Sequence, residues 1–110
     1  MAMPAGEEEK ARRFYAGLLL LTEVKKPYAL ARRGGCWFES GALRIHLGVE
    51  EPFVSARKAH PALQVSGLDD WAARLSAAGA PVLWDADLIG FRRFYTADPF
   101  GNRIEILEAL

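Results

Sequence analysis

The spacing of apolar residues switches between a helical and an extended period along the chain. From Glu7, the residues Ala11, Phe14, Tyr15 and Leu18 recur at i, i+3, i+4 and i+7, with Arg12 and Arg13 on the outer face. Glu7, Glu8 and Glu9 stand at the start of this stretch, where the helix dipole favours acids, so a helix is predicted. The segments LTEVKK, CWFES and ALRIHLGV then read as short strands, with Gly34 and Gly35 making one turn and Ser40 and Gly41 another. A polar connector, EEPFVSARKAHP, leads to ALQVS, which alternates as a strand. Helical spacing returns at about Asp69 with Leu68, Ala72, Leu75 and Ala78, and Gly79 with Pro81 ends it. PVLWD, FRRFYTA and NRIEIL complete the chain as strands. The last two are joined by DPFGN, in which Asp98, Pro99 and Gly101 carry the chemistry of a tight reversal.

In order, residues 58–110 read β-α-β-β-β and residues 1–50 read α-β-β-β, an α+β pattern. The two stretches repeat each other down to their closing strands, RIHL at 44–47 and RIEI at 103–106. By that symmetry the first module lacks its opening strand. MAMP supplies only its tail, and a strand of typical length needs roughly half a dozen residues more. The first strand is therefore expected to be absent or vestigial and the N-terminus truncated.

A chain of 110 residues, 51% hydrophobic and 25% charged, suits one globular domain spanning 1–110. Lys plus Arg and Asp plus Glu are both 14, so no net field calls for nucleic acid or an anionic membrane. The single cysteine, Cys36, has no partner for an internal disulfide and reads as a small buried hydrophobe. The acidic start MAMPAGEEEK does not resemble a signal peptide, and no apolar run approaches the ~20 residues of a membrane span. A cytoplasmic protein is expected.

Strand alternation sorts the candidate chemistry by face. In 43–48, Leu43, Ile45 and Leu47 form an apolar row, which leaves Arg44, His46 and Gly48 opposite. In 60–66, Pro61, Leu63 and Val65 point one way and His60, Ala62, Gln64 and Ser66 the other. In 103–107, Ile104 and Ile106 share one side, Arg103, Glu105 and Leu107 the second. Two imidazoles, His46 and His60, and one carboxylate, Glu105, thus lie on like faces of related strands. Two His and one carboxylate with open positions suit Fe(II), Mn(II), Ni(II), Co(II) or Zn(II).

ARRFYAGLL, KAHPALQV and FYTADPFGNRIEIL, in this order, resemble the vicinal-oxygen-chelate superfamily of glyoxalases, extradiol dioxygenases, fosfomycin-resistance enzymes and bleomycin-binding proteins. The resemblance covers nearly the whole chain and is most specific in DPFGNRIEIL. It implies two βαβββ modules forming one curved mixed sheet around a cup, with a divalent metal held by the first and last strands of each module. It carries ligand roles onto His46, His60 and Glu105, and its fourth ligand would lie on the opening strand of module one. No His, Gln or Glu precedes Glu7 to supply it. In the same family a Gly usually closes the first helix, where this chain has Leu20.

On 91–96, the parity matching the family turns Phe91, Arg93 and Tyr95 toward the cup and Arg92, Phe94 and Thr96 away. Arg93, Tyr95, Arg44 and Arg103 are then candidates for binding an anionic, oxygen-rich small substrate, and Trp37 and Trp84 for walling an apolar pocket. The expected function is a metal-dependent lyase, isomerase or dioxygenase that chelates neighbouring substrate oxygens. The alternatives are a metal-free protein that sequesters a small molecule, as bleomycin-binding relatives do, and an inactive fragment. An open sheet edge leads to the expectation of a homodimer.

Overall fold

The computed structural model describes residues Met1–Leu110. Two compact units, Met1–Ser55 and Ala56–Leu110, each carry a four-stranded mixed sheet with helices, the α+β class the pattern implies.

In the first unit the order is β1 (Ala2–Met3), α1 (Glu8–Ala11, running into a π-helix over Arg12–Leu18), β2 (Thr22–Val24), α2 (Tyr28–Ala31), β3 (Cys36–Ser40) and β4 (Leu43–Val49). Its sheet runs β1-β4-β3-β2. The first strand spans two residues and pairs parallel with β4, Ala2 against Gly48 and Met3 against Val49. The predicted first helix departs from α geometry after Ala11. Its wider π turns make Leu19, with its N–H on Phe14 O at 2.8 Å, the buried successor of Tyr15, while Leu18 is only half-buried. Tyr15 then stacks on Phe38 at 5.4 Å between centroids, and Met3, Phe14, Ile45 and Leu47 close the core around them. Helix α2 was not legible as a period because it is a single turn, begun at Pro27. Gly35 is required: its φ is 83°, and a Cβ there would lie 2.0 Å from Leu47 O.

The second unit contains β5 (Ala62–Gln64), α3 (Leu68–Ala77), β6 (Leu83–Asp85), β7 (Phe91–Ala97) and β8 (Arg103–Ala109), with sheet order β5-β8-β7-β6. It repeats the first sheet, including the parallel outer pair, here Ala62 against Glu105. Leu68, Ala72 and Leu75 of α3 are buried, as are Leu63, Phe94, Ile104 and Ile106 of the strands. Burying each large side chain contributes about 1.5–3 kcal/mol. The helix starts at Gly67, and the Glu108 carboxylate from β8 accepts the N–H groups of Gly67 and Leu68 at 2.9 and 3.3 Å. It ends as expected at Gly79, with φ 84°. No helix is long and apolar enough to cross a membrane.

The DPFGN turn is tied to the connector. Asp98 Oδ1 accepts the N–H groups of Phe100 and Asn102, each at 2.9 Å, and Asn102 Nδ2 donates to Oδ2 at 2.9 Å. Asn102 Oδ1 in turn accepts Ala56 N–H at 3.0 Å, and Arg103 N–H reaches Ala56 O at 2.8 Å. The start of the segment leading to His60 is therefore fixed to the end of the turn that leads to Glu105.

Candidate functional site

Cross-strand register places Ala62, Glu105, Tyr95 and Leu83 in one row of the second sheet, and Gln64, Leu107, Arg93 and Asp85 in the next. Both rows lie on the face opposite Phe94 and Ile106, because side chains alternate along each strand. Glu105 is buried at the centre. Its Oε1 accepts Arg93 Nη1 at 2.9 Å, and its Oε2 lies 3.1 Å from His60 Nε2. Arg93 also donates from Nε and Nη2 to Asp85 Oδ1, at 3.2 and 3.1 Å. The Asp87 N–H on Asp85 Oδ1 at 2.9 Å, and then Arg93, hold the Asp85 carboxyl below the usual carboxylate range. Arg93 is held above its ordinary value by its hydrogen bonds to Glu105 first and Asp85 next.

Tyr95 is bordered by the same groups. The His60 ring meets it edge-on at 5.3 Å, and the Arg103 guanidinium lies over it with Cζ 3.7 Å from the ring centre. Arg103 has no carboxylate within ion-pairing distance, so its donors remain free in a plane fixed by the stacking. A hollow of about 270 Å³ lies beside Arg93, with Trp84, Asp85 and Phe91 in its lining.

Donor and acceptor bookkeeping at His60 is informative. Nδ1 lies 2.8 Å from Lys58 O, a carbonyl that only accepts, so Nδ1 carries hydrogen. In a neutral ring Nε2 then presents a lone pair to a carboxylate oxygen 3.1 Å away. Two electron-pair donors so placed need a proton or a metal cation between them. One imidazole nitrogen and one carboxylate oxygen, with the far ring nitrogen anchored to a backbone carbonyl, fit part of the ligand set of a first-row divalent ion. No group of three or more His, Cys, Asp or Glu side chains able to hold an ion is gathered in the structure.

Of the seven candidate residues, His60, Glu105, Arg93, Tyr95 and Arg103 come together in the second unit. His46 and Arg44 belong to β4 of the first unit. His46 lies opposite Trp37 in the ladder and flat against it, rings 3.8 Å apart and 3° from parallel, beside a hollow of about 230 Å³ that includes Lys26 and Arg33. Arg44 is exposed and paired with Glu39 at 3.3 Å. Sequence reasoning missed Asp85, Lys58 O and the Asp98–Asn102 tie. None of them is signalled by spacing alone; it is the β6–β7 register that sets Asp85 opposite Arg93. In the repeat, His46 corresponds to Glu105 and Ala2 to Gln64.

No family model matches the chain, and no curated protein sequence matches it. Among solved structures, it is similar to a glyoxalase family protein from Bacillus anthracis, with 45% identity, a TM-score of 0.95, and coverage of 99% of this chain and 89% of that one. The lactoylglutathione lyase of Agrobacterium tumefaciens shares the fold at 22% identity and a TM-score of 0.73, over 98% of this chain and 90% of that one. So does the fosfomycin resistance protein FosX of Listeria monocytogenes, at 16% identity and 0.77, over 100% and 90%.

Proposed function

This chain belongs to the glyoxalase family of the vicinal-oxygen-chelate superfamily, and from that membership we propose that it is a divalent-metal-dependent enzyme acting on a small, oxygen-rich anion. The observation that carries the reading is the His60–Glu105 pair, whose facing Nε2 and Oε2 are 3.1 Å apart. In this reading His60 and Glu105 hold the ion. A bound divalent ion supplies Lewis-acid stabilisation of negative charge developing on substrate oxygen.

The remaining work falls to the chain's own side chains. Lys58 O fixes the His60 tautomer and ring plane, so Nε2 needs no reorientation before use. Arg93 keeps Glu105 in place from the opposite side. Arg103, stacked on Tyr95 and without a carboxylate of its own, binds the anionic group of the substrate, with the Tyr95 hydroxyl as a second polar contact. Arg93 and Arg44 are less suited to that task, since each already has an acid. A lyase, isomerase or dioxygenase reaction is compatible with this arrangement. A homodimer belongs to the same reading, supported by the open edge strand β6, on which Leu83 and Trp84 are 64% and 51% exposed.

One observation favours a second reading, a metal-free protein that sequesters a small molecule: Arg93 already supplies a positive charge to Glu105. Metal analysis of protein purified without chelator separates the two. The enzyme reading expects a stoichiometric divalent ion, lost in His60→Ala and in Glu105→Ala. An absence of any such ion, with no uptake on titration of zinc, nickel or manganese, removes it.

A further inference from the structure

We propose that the hollow of the first unit binds a small aromatic carboxylate, its ring packed beside Trp37 and His46 and its carboxylate held by Lys26 and Arg33. Such a site needs no metal ion, so it stands or falls apart from the reading above. Trp37 and His46, stacked at 3.8 Å and 3° from parallel, form an aromatic wall of the hollow, with Leu30 of α2 as an apolar neighbour. The lining also holds two cations, Lys26 and Arg33, and no acid. Neither cation has a carboxylate within ion-pairing distance. Lys26 Nζ donates to Gly34 O, which anchors the ammonium at the hollow and leaves two of its three donors free. Glu8 is taken up by the Gly35 N–H at 3.3 Å and does not enter the lining.

The space comes from missing side chains. Gly48 lies on the same face of β4 as His46, and its φ is not in the left-handed region, so the backbone does not demand glycine there. A Cβ on Gly48 would meet nothing within 4 Å. In the second sheet one row carries Gln64, Leu107, Arg93 and Asp85; continuing the first sheet's ladder, its counterpart is Ala2, Gly48, Gly35 and Lys26. Three side chains shrink to a methyl group or a hydrogen, and the acid at the end of the row becomes a base. The fold thus accommodates a filled row, and the first unit leaves it empty beside an aromatic wall. The hollow, about 230 Å³, exceeds the ~150 Å³ that holds a benzene ring, with room for a carboxylate and little more. Aromatic wall, apolar neighbour and two cations together select a planar apolar body with one anionic end.

The test is calorimetric titration of wild type, Gly48→Leu and Lys26→Met with benzoate, acetate and benzyl alcohol, circular dichroism reporting the fold of each. EDTA in the buffer keeps any metal-bound carboxylate out of the signal. Wild type is expected to bind benzoate saturably, and about tenfold or more tighter than acetate or benzyl alcohol, since each of those lacks one half of what the hollow recognises. Gly48→Leu, which fills the recess with the residue type found at the matching position 107, is expected to abolish benzoate binding. Lys26→Met is expected to weaken it about tenfold. An absence of saturable benzoate binding overturns the inference, as does acetate or benzyl alcohol binding as tightly as benzoate. Unchanged benzoate affinity in folded Gly48→Leu overturns it too. Should Gly48→Leu not fold, unchanged affinity in Lys26→Met overturns it equally. None of these results bears on ion uptake, which metal analysis decides separately.

Discussion

Arg93 and Glu105 meet diagonally across β7 and β8, Nη1 2.9 Å from Oε1, because the register sets Arg93 opposite Leu107 and Tyr95 opposite Glu105. Glu105 is buried and carries charge-assisted contacts to both Arg93 and His60, so its loss removes two of them at once, although Arg93 keeps Asp85. Glu105→Ala is therefore expected to lower unfolding free energy by about 2–4 kcal/mol in urea denaturation. His60→Ala removes one partly exposed ring and is expected to cost about 1 kcal/mol or less. Equal stability losses would show that Arg93 does not depend on Glu105.

Much of this was legible because alternation fixes faces. The period of two set His60, Glu105 and Arg103 outward of an apolar row and the family resemblance supplied the parity of Arg93 and Tyr95; the register sets Arg93, Tyr95, Arg103 and Glu105 on one face, where His60 meets Glu105. Register is a different matter. Which residue of β7 lies beside Glu105 depends on where the DPFGN turn ends, and which acid meets Arg93 depends on β6, so the Asp85–Arg93–Glu105 chain could not be read from spacing. The first helix shows a further limit. Apolar positions fitted an α period, but π turns follow Ala11 and move the buried position from Leu18 to Leu19.

The Asp98–Asn102 tie predicts a stability effect with a functional echo. Asn102 is fully buried and hydrogen-bonded both to Asp98 and to Ala56 N–H. Asp98→Ala and Asn102→Ala are each expected to destabilise by about 1–3 kcal/mol, with the double variant costing less than the sum because both break one network. A double-mutant cycle in urea measures this, and strict additivity would refute the shared network.

Leu20 adopts φ 61°, the left-handed conformation that its place after the first helix demands, and its side chain is 59% exposed. Leu21 N–H reaches back to Tyr15 O at 2.9 Å across it. Little packing offsets the strain of a branched residue there. Leu20→Gly is expected to raise stability by about 1 kcal/mol, seen as a higher thermal midpoint; a lower midpoint would mean that Leu20 packs more than its exposure implies.

The Thr96 hydroxyl is buried without a hydrogen-bond partner, on the strand face shared with Phe94. Thr96→Val replaces that oxygen with a methyl group of similar size. The expected gain is about 1 kcal/mol by chemical denaturation, and a loss would reveal an acceptor that the hydroxyl reaches in solution.

Cys36 is 1% exposed, and burial pushes its thiol above the ordinary range, with Sγ against Glu8 O at 3.8 Å. A group whose pKa is raised by folding favours the native state below its unfolded value, about 8.5 for a thiol, and that contribution is lost as pH rises toward the folded value. Stability should therefore fall on the alkaline side, and Cys36→Ala should flatten that fall. The same burial should keep the native thiol unreactive toward a disulfide reagent at about pH 8. In denaturant the single cysteine titrates fully. Rapid modification of the folded protein would show that β3 opens readily at Cys36.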